Sequence, residues 1–292
     1  MDMECPSPSP LDYFAALVAD DDSLSLTEAA GAIALVDHPG LDLAAVQTEL
    51  DTLAQRLHRR LPSDAGPLQR VRALHHLFYQ ELGFASNVND LREADNSHLH
   101  AVLRRRRGLP ITLAVLYLEL AGQIGLQADG VSFPGHFLIK LHLPLGDAVI
   151  DPVDGRSLTR VELEERLEPY LSHETRLGLE MGMGLGDLLG EYLQPASARE
   201  ILARMLRNLA VLHRERGELV RLLQIQHRQI VLDPFDWTLR RDRGRTLAEL
   251  GQTAPAIDDL ALYLQHADAA PDRLRIVAQL AALRDAGPPR WH

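Results

Sequence analysis

The sequence predicts an α+β fold that is predominantly helical, with one small antiparallel sheet near its middle. Three observations carry this. Apolar residues make up 46% of the 292 and charged residues 24%, the balance of a packed globular chain long enough for a large core. Aromatics are only 5%, so the core falls to Leu, Ala, Val and Ile, a mixture that leans towards helix. The spacing of apolar residues changes from helical to strand-like only between about Val131 and Asp151, and from Pro195 onward a helical pattern recurs at 34 residues.

Taken in order, residues 1–10 read as a flexible tail and 11–67 as a helical region. Ser25-Leu-Thr-Glu28 has the spacing of a capping box, and Leu43 through Leu61 repeats leucines at helical spacing. Leu61 to Pro67 is a turn, followed by an amphipathic helix from Leu68 to Leu82 that closes at Gly83. That helix opens a mixed region, 68–194. Asn96-Ser97 signals a helix start, Gly108 ends that helix, and Pro110 suits the first turn of an apolar helix running to Ile124 and Gly125. Val131 to Leu143 reads as a strand with His136 inside it, and Ala148 to Asp151 as a second, with a hairpin loop at Leu143–Asp147. A glycine-rich patch, Gly178 to Gly190, precedes Pro195.

The last region, 195–288, is all helical. Gly217 and Gly251 lie 34 residues apart, Ala210 and Gly244 fill the small-residue slot seven positions earlier, and Pro234 closes the first unit. This helix-turn-helix period is the tetratricopeptide signature. The second unit has Ala256 in the next expected small slot, where the first has Leu222. Two units fall short of an independently stable array, so helices from the middle region are expected to cap it.

Charge and cysteine usage exclude several classes. Net charge is −11, which repels nucleic acid and anionic membrane, and a partner of either kind is not expected. Arg199 to Arg245 runs the other way, with eleven arginines against six acids. Cys5 is the single cysteine, so neither a disulfide scaffold nor a thiolate metal cluster is available. The first ten residues carry acids where a signal peptide needs bases. The nearly uncharged stretch Gly108–Ala128 holds Glu119 and reads as a core helix, which leads us to expect a cytoplasmic protein.

The most informative residues are Asn96-Ser97, Arg106-Arg-Gly-Leu-Pro-Ile-Thr-Leu-Ala114, Phe133-Pro-Gly-His-Phe-Leu138 and Ile150-Asp-Pro152. Together they resemble the transglutaminase-like fold of the papain-type superfamily. From about Leu68 to the end, the chain resembles the SirB family of bacterial transglutaminase-like proteins with C-terminal tetratricopeptide repeats. The resemblance implies a Cys-His-Asp triad in which the cysteine opens the core helix. His136 matches the histidine and Asp151 the aspartate. The cysteine position falls on Pro110, which has no nucleophile, and Thr112 is the nearest hydroxyl.

Three readings of these residues stay open. The His136–Asp151 pair can be a structural relic pinning two strands to the helix. It can be the base and orienter of an amide or ester hydrolase with Thr112 or water as nucleophile. It can also bind a carboxylate or amide group with the backbone N–H groups near Pro110. Asn96, Arg107 and Pro110 are the candidate binding residues around it; the run Arg104–Arg107 reads first as cations complementing a helix end, with the gathering of an anionic ligand as the alternative. His98 and His100, two apart on a helix, are expected to point apart, and His75-His76 is equally unsuited to a metal. No cofactor is implied. The resemblance implies a regulatory association, and the repeats imply a protein or peptide partner. The leading expectation is a non-catalytic interaction protein, with the hydrolase as alternative.

Overall fold

A computed structural model describes residues 8–90, 92–172 and 185–286. It divides into two compact units, one of Ser25–Ala34 with Gly40–Met205, the other of the residues up to Leu24, Leu35–Pro39 and those from Leu206 onward. The helical region expected over 11–67 is therefore shared between them.

In the first unit, α2 (Leu26–Ile33) starts at Ser25, whose side chain accepts from the Glu28 N–H. α3 (Leu43–His58) starts at Asp42, which caps Ala45. α4 (Pro67–His75) begins one residue before the expected helix and ends earlier, because residues His76–Glu81 open into a π-helical turn. That widened turn carries Tyr79, whose hydroxyl donates to the Pro152 carbonyl at 3.2 Å. Such turns recur at functional sites.

Asn96 and Ser97 belong to a short 3-10 turn, and α5 (Leu99–Arg105) begins after His98. The expected cap at Asn96 is not made, since its side chain bonds to Asn87 (3.0 Å) and to the Asp90 carbonyl (2.7 Å). His98 has extended rather than helical dihedrals (φ −102°, ψ 118°). The helical offset between His98 and His100 therefore does not apply. Their rings stack at 6.0 Å instead of pointing apart.

The short strands β1 (Ala85–Ser86) and β2 (Arg107–Gly108) pair in parallel, and the Leu109 N–H donates to the Asn96 carbonyl at 2.9 Å. These contacts fix the start of α6 (Pro110–Gln123). Proline suits that first position because its missing N–H would have no partner there. α6 is buried on nearly every face, from Ile111 through Tyr117 and again at Leu120 and Ala121. It is the axis of this unit's core.

The sheet is antiparallel, in the order β3 (Ala128–Val131), β4 (Leu138–Leu143), β5 (Gly146–Ile150). The single strand expected over Val131–Leu143 is thus two strands, with His136 in the turn between them. Pro134 cannot donate to a ladder, and Gly135 has φ +67°, a left-handed value that a strand does not accommodate. The hairpin loop expected at Leu143–Asp147 is present, with Leu143 paired to Gly146. Under the sheet, Val131, Phe133, Leu138, Val149 and Leu158 pack with Leu163 and Leu167 of α7 (Arg160–Leu167) and Leu189 of α8 (Leu185–Tyr192). Most of the glycine-rich patch from 178 lies outside the described residues, as does Cys5.

The unit division falls within α9 (Ala198–Glu215). In the second unit α10 (Leu219–Leu232), α11 (Trp237–Glu249), α12 (Thr253–His266) and α13 (Arg273–Ala286) follow, each packed on the next. Gly217 (φ +68°) and Gly251 (φ +74°) make equivalent turns, as the 34-residue period requires. Gly244 holds its small-residue slot for a steric reason, since a Cβ there would lie 2.9 Å from Leu260 Cγ. α1 (Pro10–Leu17), capped by Ser9, packs on α10 and brings Phe14 beneath Arg228 at 6.0 Å. One flank of the array thus comes from the N-terminal stretch. Among the described residues no helix is long and apolar enough to cross a membrane.

Candidate functional site

His136 and Asp151 meet although fifteen residues separate them in sequence. The turn from β3 to β4 carries His136, held by its own N–H to the Phe133 carbonyl. α9 braces the same turn, with Arg204 donating to the Phe133 carbonyl and to Ser132 Oγ, both at 3.0 Å. Asp151 follows β5 directly. Its carbonyl accepts from the Gly155 N–H at 2.8 Å, and its N–H donates to the Arg156 carbonyl at 2.9 Å. Tyr79 packs its ring on Gly155, where an added Cβ would fall 2.4 Å from Tyr79 Cε2. The two polar ends are therefore fixed by backbone.

His136 Nε2 lies 3.0 Å from Asp151 Oδ1, which also accepts from the Val153 N–H at 3.1 Å. Asp151 Oδ2 accepts from Arg166 Nη1 of α7 at 3.0 Å. Burial works against the ionised carboxylate, but the hydrogen bonds from His136, Val153 and Arg166 outweigh it and hold the Asp151 carboxyl at about 2. An ionised Asp151 only accepts, so Nε2 of His136 carries the proton and donates. In the neutral imidazole Nδ1 is then the free acceptor. The His136 side chain is 25% exposed and that of Asp151 10%, so the histidine is open to solvent where its partner is not.

Arg166 is a member of this site that sequence reasoning missed. It lies in the last turn of a helix opened by a Thr159–Glu162 capping box, and nothing in its local pattern separates it from an ordinary cation at a helix end.

The other predicted residues sit around the helix start. Pro110 is half-buried at the first position of α6. Thr112 is fully buried, and its Oγ1 has no hydrogen-bond partner, so His136 does not hold it. Asn96 is buried, its side chain committed to the 87–96 loop. Arg107 is exposed and donates to the Gly83 and Arg106 carbonyls at 2.6 and 2.8 Å. The structure thus brings His136 and Asp151 together, adds Arg166, and gives Asn96 and Arg107 partners inside the fold. A pocket of about 470 Å³ is lined by residues that include Val149, Leu158, Arg160, Leu163 and Leu193, and by no member of this group.

Residues 44–207 match the transglutaminase-like superfamily, and residues 209–281 match the tetratricopeptide repeat. The chain is similar to a UPF0162 protein of Xylella fastidiosa, at 36% identity over 84% of this chain and 85% of the relative. A UPF0162 protein of Pseudomonas aeruginosa is 30% identical over 89% and 91%. F-box only protein 21 of Mus musculus is 35% identical over a shorter stretch, 33% of this chain and 17% of that protein. With its turn-borne histidine, its strand-end aspartate and these matches, the chain belongs to the transglutaminase-like superfamily and to the UPF0162 family, with tetratricopeptide repeats C-terminal in sequence to the transglutaminase-like region.

Proposed function

We propose that this chain is a non-catalytic transglutaminase-like protein of the bacterial cytoplasm whose tetratricopeptide array holds a protein or peptide partner. The observation that carries the reading is the start of α6. On the family resemblance a thiol belongs there, and the position is Pro110, with the nearest hydroxyl, Thr112 Oγ1, fully buried and unbonded. A hydroxyl attacks only when a base is aligned on it. The saturation of Asp151 by His136, Val153 and Arg166 supports a pair that fastens β4 and β5 to α7. The SirB-like motifs around Pro110 and His136 support placing the chain with that regulatory grouping, and an array of paired helices offers a surface suited to an extended segment.

A second reading has one observation in its favour. His136 is partly exposed and keeps Nδ1 available, the arrangement of a base that activates water for amide or ester hydrolysis.

One set of variants separates the two. In affinity capture from the native host, the full chain and its His136→Ala variant should retain the same partners, and a chain ending before residue 206 should lose them while keeping its circular dichroism in the transglutaminase-like domain. Retention of every partner by the shortened chain would refute the array-based role. Hydrolysis of an ester or amide panel that disappears in His136→Ala would establish the second reading.

A further inference from the structure

The repeat array carries a carboxylate with too many cations. Asp272, at the head of α13, has a side chain 13% exposed. Its Oδ1 accepts from the Tyr263 hydroxyl at 2.6 Å, and three guanidinium groups surround Oδ2. Arg241 donates to it at 3.1 Å, while Arg275 and Arg245 stand at 3.6 and 3.8 Å. Arg241 has a second acid in Asp242, at 2.7 Å. Neither Arg245 nor Arg275 makes a hydrogen bond among the described residues.

The neighbouring carboxylate repeats the pattern. Asp259 is buried and takes a two-pronged contact from Arg243 at 2.6 and 2.7 Å, and Arg240 reaches it only at 3.6 Å, with a buried Nε that bonds to nothing. Across the two carboxylates and Asp242, five arginines face three acids. Burial, and then the charges of Arg275 and Arg241, push the Arg245 guanidinium below its ordinary range. Guanidinium groups crowded together without enough acceptors are stabilised by any anion that enters between them.

We propose that Arg241, Arg245 and Arg275 form a binding site for a carboxylate side chain of an acidic partner segment, seated beside Asp272 between α11 and α13. This rests on the reading that the array holds a partner, and it names that partner's chemistry. Arg245 and Arg275 approach Asp272 from separate helices, so a second carboxylate between them receives a charge-assisted hydrogen bond from each. A short acidic segment meets only this patch. A nucleic acid is a long polyanion and would also meet the rest of a chain whose net charge is −11.

The test uses the full chain and a fluorescent peptide containing four glutamates in a Gly/Ser background, followed by anisotropy at low and moderate salt. The glutamate peptide should bind and its glutamine counterpart should not. The double variant Arg245→Gln/Arg275→Gln should weaken binding by about tenfold or more, and Arg284→Gln, an exposed arginine further along α13, should leave it unchanged. Absence of glutamate-peptide binding would overturn the proposal, as would equal binding by the double variant. Tighter binding of a single-stranded oligonucleotide would reassign the patch to nucleic acid. Displacement of the peptide by inorganic phosphate at comparable concentration would make it a free-anion site. Loss of peptide binding with array-dependent capture intact would overturn the acidic segment alone and leave the array reading standing.

Discussion

Asp151 and Asp272 are both mostly buried carboxylates facing arginine, and they are balanced in opposite ways. Asp151 meets one histidine, one arginine and one backbone N–H, so each of its oxygens is matched within 3.1 Å. Asp272 meets a tyrosine and three arginines, two of them beyond hydrogen-bond distance. The first arrangement is complete without a ligand and the second is not. A buried polar group that is fully satisfied rigidifies its surroundings, and one that is over-supplied with donors is where a partner's acceptor gains most. On the proposed reading His136 and Asp151 form a closed structural unit, while donor capacity without a close acceptor lies at Arg245 and Arg275 in the array.

Several substitutions and conditions sharpen that contrast. The largest effect is expected from Gly155→Ala, which adds a Cβ 2.4 Å from the Tyr79 ring at a residue with φ +74°. The combined strain and overpacking should cost about 2–4 kcal/mol in urea unfolding. A small change would mean that the 151–155 turn is not a rigid support for Asp151.

Acid should come next. The Asp151 carboxyl is held at about 2 in the folded chain against an ordinary value near 3.8, so its contribution is complete above about pH 5 and is lost as pH falls through about 2. The loss should be on the order of 2 kcal/mol. It should be absent in Asp151→Asn, measured relative to that variant's own stability at pH 6.

The array should show the opposite slope. His213 is fully buried; burial pushes its imidazole down, but Asp37 at 3.5 Å and Glu218 at 2.7 Å more than reverse this and raise it above its ordinary value. Its contribution is complete below about pH 6.5 and fades as pH rises through the raised value. Hydrogen exchange of α9 and α10 should therefore quicken above neutrality in excess of the intrinsic rate, and His213→Gln should flatten the trend. The smallest effect belongs to Arg245→Gln. With no hydrogen bond to lose, it should change stability by less than about 0.5 kcal/mol, whereas Arg166→Gln should cost more.

Much of this was legible in the sequence. The 34-residue spacing of Gly217 and Gly251 located the repeat because each glycine supplies a backbone conformation that other residues rarely adopt. The Gly-Leu-Pro segment at 108–110 located the core helix because proline fits a first turn and little else. The Pro134–Gly135 break was visible in the letters too, yet the apolar residues on either side read as one strand. Arg166 and the arginines around Asp272 were not legible in their pairing. Each sits at an ordinary helical position, and only the folding of distant helices onto one another decides which carboxylate it meets. The π-helical turn that delivers Tyr79 to Pro152 has no local signature either; its Phe78 and Tyr79 rings lie against Tyr117, a residue distant in sequence.

The decisive measurement is equilibrium urea unfolding of the His136→Ala variant of the full chain at pH 7. A structural pair predicts a loss of about 1–3 kcal/mol, because Asp151 is left with one acceptor position unfilled away from water. An unchanged midpoint and slope would contradict the closed unit described here and return His136 to the role of a base kept for chemistry.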